Sequence, residues 1–249
     1  MNENRNKLGR PPISEVVVGI SFENIFKSFE EIQNFYENSN FKSSYTIEEE
    51  LRAISLEVSE QPQLTQNIAR GLSFSSKDKK ESIYIETDKL MFSDRNTYIS
   101  FQVFIDKFIL ILDELFKFSN NSISVQDIGL RYNNIFRLPF NILANQFKIK
   151  SSMNIDEFDK QYAIYLNHLE MSNIQSLENE NMFATVKTIL KDSNDVSLQV
   201  IFDIDTHLQK KYNIVSIEEF NSKVRLLKNF KNKIFFSNFE NAYDIEEFK

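Results

Sequence analysis

Apolar and polar side chains alternate over residues 13–22. Val16, Val18, Ile20 and Phe22 fall on one side, and Glu15, Val17, Gly19 and Ser21 on the other. A period of two marks a strand with one buried face, and Pro11 and Pro12 stiffen the chain that leads into it. The period then lengthens. Ile25, Phe29, Ile32 and Tyr36 recur at helical spacing with acids on the opposite side, which predicts a helix that starts near Glu23 and ends in the polar cluster Asn38 to Asn40. Short strands are predicted at 44–58, 67–75 and 82–92, with a solvated turn at the charge run Lys77 to Lys80.

A second helix is predicted over 97–118, with Asn96 or Thr97 as its N-cap. A strand follows at 124–139. Ile128, Leu130 and Tyr132 share one of its faces, Gly129, Arg131 and Asn133 the other, and Pro139 ends it. The remainder repeats the theme, with strands predicted at 161–171, 182–190 and 196–205. A last helix starts at Ser216, which has capping-box spacing to Glu219, and continues through Phe220, Val224, Leu227 and Ile234.

Strands joined by short connections pair antiparallel, so the expected class is α+β: antiparallel sheet with amphipathic helices packed on one face. The organisation expected is an N-terminal α+β half over 1–140 and a C-terminal α+β half over 141–249, packed as one continuous unit. The two halves also admit a reading as a diverged duplication, although no repeat is visible residue by residue.

Composition adjusts this picture in a few places. The 249 residues include only 4 Gly and 4 Pro, which leaves few sharp loops, and 24 Phe and 9 Tyr with no Trp. Aromatic rings therefore supply much of the expected buried area, although a coding bias toward Phe, Ile, Asn and Lys accounts for the same numbers. The net charge of −7 and pI of about 5.1 give a surface that repels nucleic acid and anionic lipid on average. With no Cys, disulfides, thiolate nucleophiles and thiolate-based metal sites are excluded.

The longest apolar stretch, Phe101 to Phe118, fails as a membrane span. Asp106, Lys107, Asp113, Glu114 and Lys117 interrupt it on one side of a helix. The polar, basic opening Met1 to Arg10 has no apolar run of the kind a signal peptide carries, so a cytoplasmic location is expected.

Three segments together carry a resemblance. The first is Leu8 to Phe22, with Pro11-Pro12-Ile13, Glu15-Val16-Val17 and Gly19-Ile20-Ser21-Phe22. The second is Ile128-Gly129-Leu130-Arg131-Tyr132-Asn133-Asn134. The third joins Phe202-Asp203-Ile204-Asp205 to the closing run Leu227 to Phe236. Their order and spacing resemble a sporadically distributed prokaryotic family of uncharacterised proteins of similar length. The resemblance implies no catalytic residues. The patchy distribution of that family is similar to that of mobile accessory genes such as phage-defence or toxin-associated modules, so it implies an accessory role. This chain is richer in Phe, Asn and Lys.

Candidate chemistry centres on Asp203 and Asp205, which flank Ile204 and point to one side of a strand. Two such carboxylates can ligate Mg²⁺ or Mn²⁺, or can pair with a basic residue on a neighbouring strand; the second is the reading preferred here. Arg131 is the natural partner, because a mid-strand guanidinium can fork onto a carboxylate or onto an anionic ligand. Tyr132, on the other face, reads as a core aromatic. Glu15 is the acid within the first strand and would be a general base if buried. Asn134 closes the Gly-Leu-Arg-Tyr-Asn-Asn run. Together Arg131, Tyr132, Asn134, Asp203, Asp205 and Glu15 form the candidate binding set, with no catalytic residue, cofactor or resident metal assigned.

His168 and His207 each stand without an i, i+4 ligand partner, and neither a nucleophile elbow nor a Gly-rich phosphate loop is present. Lys228, Lys231 and Lys233 interleave with Phe230, Phe235 and Phe236. That pattern fits either a nucleic-acid surface or lysines complementing a helix C-terminus, and the second is preferred.

The function expected from sequence is a cytosolic, non-catalytic binding component of an accessory system, with a protein partner or a homo-oligomer. The alternatives are a metal-dependent phosphoryl-transfer or hydrolytic enzyme on Asp203 and Asp205, and a small-ligand sensor.

Overall fold

A computed structural model describes residues 11–23, 25–57, 63–120, 123–139, 168–177, 182–194, 197–214 and 216–238. Met1 to Arg10 and most of the strand expected at 161–171 lie outside them. The class is α+β with antiparallel sheet, as the periodicities predict. Contacts divide the chain into two compact units. One holds 17–128 and 210–222, and the other holds 1–16, 129–209 and 223–249.

In the first unit the strands neighbour one another in the order β2 (Ile47–Glu57), β3 (Gln63–Ser75), β4 (Glu81–Glu86), β5 (Lys89–Arg95), β1 (Ile13–Phe22) and β6 (Ile123–Pro139). The β2·β3, β3·β4 and β4·β5 pairs are antiparallel. Register builds the core directly. Phe74 faces Ile83, which faces Phe92, and Leu72, Ile85 and Leu90 form a parallel row. All of these are buried. Residues directly opposite in an antiparallel ladder share a face, so the two rows make one apolar floor.

Helices α1 (Phe29–Glu37) and α2 (Phe101–Phe118) both cover that floor. Tyr36 stacks on Phe74 at 3.7 Å between ring centres, and Phe104 lies 5.3 Å from Phe92. The outer side of α2 carries Asp106, Lys107, Asp113, Glu114 and Lys117, while Phe101, Phe104, Ile105, Phe108, Ile111, Leu112, Leu115 and Phe116 are buried beneath it. Among the described residues no helix is long and apolar enough to cross a membrane.

Several predicted boundaries move, each for a local reason. The first helix begins at Phe29 instead of near Glu23, capped by Ser28, whose hydroxyl accepts from the Glu31 amide at 3.3 Å. The cap of α2 is Ser100 and not Asn96 or Thr97. Asn96 is held at φ 60, and the Asp94 carboxylate takes both the amide and the hydroxyl of Thr97, so those residues form the turn before the helix. The single strand expected at 82–92 is a hairpin, β4 and β5, turning at Thr87 and Asp88 with Glu86 opposite Lys89. That turn uses no residue at positive φ, so the usual Asn-Gly marker is absent.

In the second unit the strand order is β1, β6, β9 (Ser197–Ile214), β8 (Met182–Asn194) and β7 (His168–Leu177). The β7·β8 and β8·β9 pairs are antiparallel. Pro12 meets Ile135 and Ser14 meets Asn133, so β1 and β6 also run in opposite directions here. Helix α3 (Ile217–Asn238) spans both units. Its start is capped as predicted, with Ser216 Oγ accepting from the Glu219 amide at 3.1 Å. In the second unit it buries Val224, Leu227, Phe230, Ile234 and Phe235, and Phe235 meets Phe202 edge-on at 6.1 Å. The expectation that the lysines complement the C-terminal dipole of this helix fails. The helix continues to Asn238, and its last turn holds no basic residue.

Candidate functional site

Strand alternation divides the candidate residues between the two faces of β6 and β9. Leu130, Tyr132, Asn134, Phe202, Ile204 and Thr206 are buried on the side that α3 covers. Arg131, Asp203, Asp205 and His207 project to the other side. Contacts step in opposite directions along the two strands: Thr206 Oγ1 donates to the Leu130 carbonyl at 2.7 Å and Asn134 Nδ2 to the Phe202 carbonyl at 2.8 Å. This antiparallel register brings Arg131 beside both aspartates.

Arg131 and Asp203 form a fork. Arg131 Nε lies 2.9 and 3.1 Å from the two Asp203 oxygens, and Nη2 is 2.6 Å from Oδ2. The guanidinium is 45% exposed at its side chain and the carboxylate only 11%, so the arginine covers the aspartate from the solvent side. The hydrogen bonds that Arg131 donates to Asp203 raise its pKa above the ordinary value against the opposing effect of desolvation, with Asp203, Asp205 and Glu15 adding electrostatic attraction. Glu15 is thus placed within electrostatic reach of the same guanidinium and is only partly exposed.

Asp205 has a neighbour that was not recognised from spacing. His207 Nε2 lies 3.1 Å from Asp205 Oδ1, and the imidazole stacks on Phe183 at 4.9 Å and 10° between planes. Phe183 is directly opposite His207 in the β8·β9 ladder. On the other flank the ring lies beside Gly129, where a Cβ would stand in ordinary contact with His207 Cε1 at 3.4 Å. The i, i+2 spacing of Asp205 and His207 on a predicted strand was the available signal. Ligand spacings at helical separation do not capture a pair that shares one side of a strand.

Tyr132 and Asn134 belong to the other face. Tyr132 is 1% exposed, and Asn134 ties β6 to β9 through its bond to Phe202, with a longer bond to the Tyr132 carbonyl at 3.4 Å. The tyrosine ring carries an unexpected visitor, Lys231 Nζ at 4.0 Å from its centre.

The chemistry available on the open face is therefore that of paired charges. Both oxygens of Asp203 are engaged by Arg131, and Asp205 is engaged by His207. Among the described residues no three His, Asp or Glu side chains gather closely enough to hold a metal ion. No family model matches the chain, and no curated protein matches it in sequence. The resemblance seen in the three segments accordingly adds no residue role to this site.

Proposed function

We propose that the protein works by binding and not by turnover, as a non-catalytic accessory component that presents the open face of β6 and β9 to a protein partner. The observation that supports this reading is the Arg131–Asp203 fork. A guanidinium already turned edge-on to a carboxylate is a rigid recognition element, while a catalytic or metal-binding carboxylate needs an oxygen left over. Arginine held in this way keeps its outer edge available, and Ile135, 38% exposed, adds apolar surface to the same outward side of β6. Interfaces are enriched in such arginine and apolar anchors. The phage-defence or toxin-associated setting belongs to this proposal only through the sequence resemblance.

The test uses the full chain purified from its native host and followed by light scattering. Co-purification of a partner, or a stable homodimer, that is lost with Ile135→Asp and retained with Leu110→Asp supports the reading. A clean monomer with no retained protein would sink it. So would turnover of a substrate that disappears with Asp203→Asn.

A further inference from the structure

The side of helix α2 turned away from the core is not uniformly polar. Val103 and Leu110 are both exposed there, Leu110 to 69%, and their spacing of seven residues sets them on one line of the helix, about 10 Å apart. Asp106, also exposed, lies between them on the same side. Just before the Ser100 cap stands Ile99, which is 79% exposed although an apolar residue ahead of a cap commonly packs back onto its helix.

Other charges of α2 are engaged within the chain. Lys107 pairs with Glu81, and Lys117 pairs with Asp113 at 2.7 Å and Glu114 at 3.5 Å. Asp106 differs, since its carboxylate accepts a hydrogen bond from Gln102 Nε2 at 2.6 Å and among the described residues no cation pairs with it. Single exposed apolar side chains are ordinary on any protein, whereas two aligned on one helix with an unpaired acid between them repeat the apolar, charged, apolar order of a helix-binding seam.

We propose that this side of α2 docks an amphipathic helix of a partner protein, which sets two apolar side chains over Val103 and Leu110 and a lysine or arginine over Asp106. A second copy of the chain fits worse, because a twofold pairing that lays Val103 of one copy over Leu110 of the other brings the two Asp106 carboxylates together near the axis. Like charges there repel. The stripe is as long as roughly two to three turns of helix, which suits a transient complex instead of a permanent one. This face belongs to the 17–128 unit, and the proposal does not rest on the role given to the open face of β6 and β9.

Two fluorescein-labelled helical peptides are the probes, one with leucines along one face and lysine between them, the other identical but with glutamate in place of lysine. Fluorescence anisotropy follows each against the full chain. The lysine peptide is expected to bind, and Leu110→Asp to weaken it at least about tenfold, as loss of a central apolar anchor does. That variant adds negative charge, so indiscriminate attraction of a basic peptide would strengthen instead. Asp106→Lys should narrow the preference for the lysine peptide more than Glu30→Lys, which makes the same change in net charge on the exposed side of α1. All three positions are exposed, so the variants are expected to melt with the wild type. Failure of the lysine peptide to bind, undiminished binding by Leu110→Asp, or equal effects of Asp106→Lys and Glu30→Lys would overturn the proposal. So would a dimer of the free chain that dissociates with Leu110→Asp, which gives the face to a second copy. Ile135→Asp should leave peptide binding intact; a loss there would move the peptide to the β6 and β9 face and overturn the assignment to α2.

Discussion

The two compact units line the helix-covered sides of their strands differently. In the 17–128 unit that side is dominated by the apolar rows Phe74–Ile83–Phe92 and Leu72–Ile85–Leu90, roofed by Tyr36 and Phe104, with its charged residues Glu81 and Asp94 together at the end of the β4·β5 ladder. In the 129–209 unit the equivalent side includes Asn134, Thr188 and Thr206 among Leu130, Phe202 and Ile204, and α3 adds Lys231. The first arrangement maximises transfer of apolar surface out of water. The second gives up some of that transfer for hydrogen bonds that each fix one strand against the next, since a buried polar group is tolerable only when paired. Stability should therefore be concentrated in the aromatic unit, and pH-sensitive behaviour in the other.

The largest expected effect lies in the aromatic floor. Phe74→Ala removes the ring that stacks on Tyr36 and should cost about 3–5 kcal/mol in a urea titration. Gly71 is comparably intolerant, because a Cβ there would lie 2.1 Å from the Ile85 carbonyl oxygen, a backbone atom that cannot step aside. Gly71→Ala is expected to lower the melting temperature strongly, and an unchanged melting curve would contradict the register described.

In the polar unit the effects are smaller and depend on which partner is left behind. Asp203→Ala strands Arg131, but the guanidinium is 45% exposed and water screens it, so the expected loss is only about 1–2 kcal/mol. A double-mutant cycle with Arg131→Ala should show coupling between the two positions. Thr206→Val, which deletes the hydroxyl bonded to the Leu130 carbonyl, should cost about 1 kcal/mol.

Lys231→Met is the one substitution in this set that should stabilise the fold, and its sign depends on pH. The folded pKa is about 7 and the ordinary value 10.5, so between these values the unfolded chain holds a proton that the folded chain does not. Native stability rises with pH across that window. The gain from Lys231→Met over wild type should be largest below pH 7 and shrink steadily as pH rises toward 10.5. A gain that is flat with pH would show that the amine is solvated. At the small end, Lys42→Ala, which removes an exposed ion pair with Glu37, should leave the midpoint unchanged within error.

Sequence alone was enough for whatever depends on near neighbours in the chain. The period-two runs located β1, β6, β8 and β9, the helical period located α2 and α3 with their buried faces, and Ser216 was recognisable as a cap, because backbone geometry and side-chain direction repeat locally. The opposed placement of Arg131 and Tyr132 on β6 followed from the same alternation. Tertiary structure decided everything that depends on strand order and register. It set Arg131 on Asp203, 72 residues away, and put Phe183 against His207. It also turned Lys231 inward over Tyr132. The apolar stripe of α3 hinted at that last placement, but a lysine in such a stripe can equally reach out to water. Only the packing of a particular strand beneath the helix determines which way its charge goes.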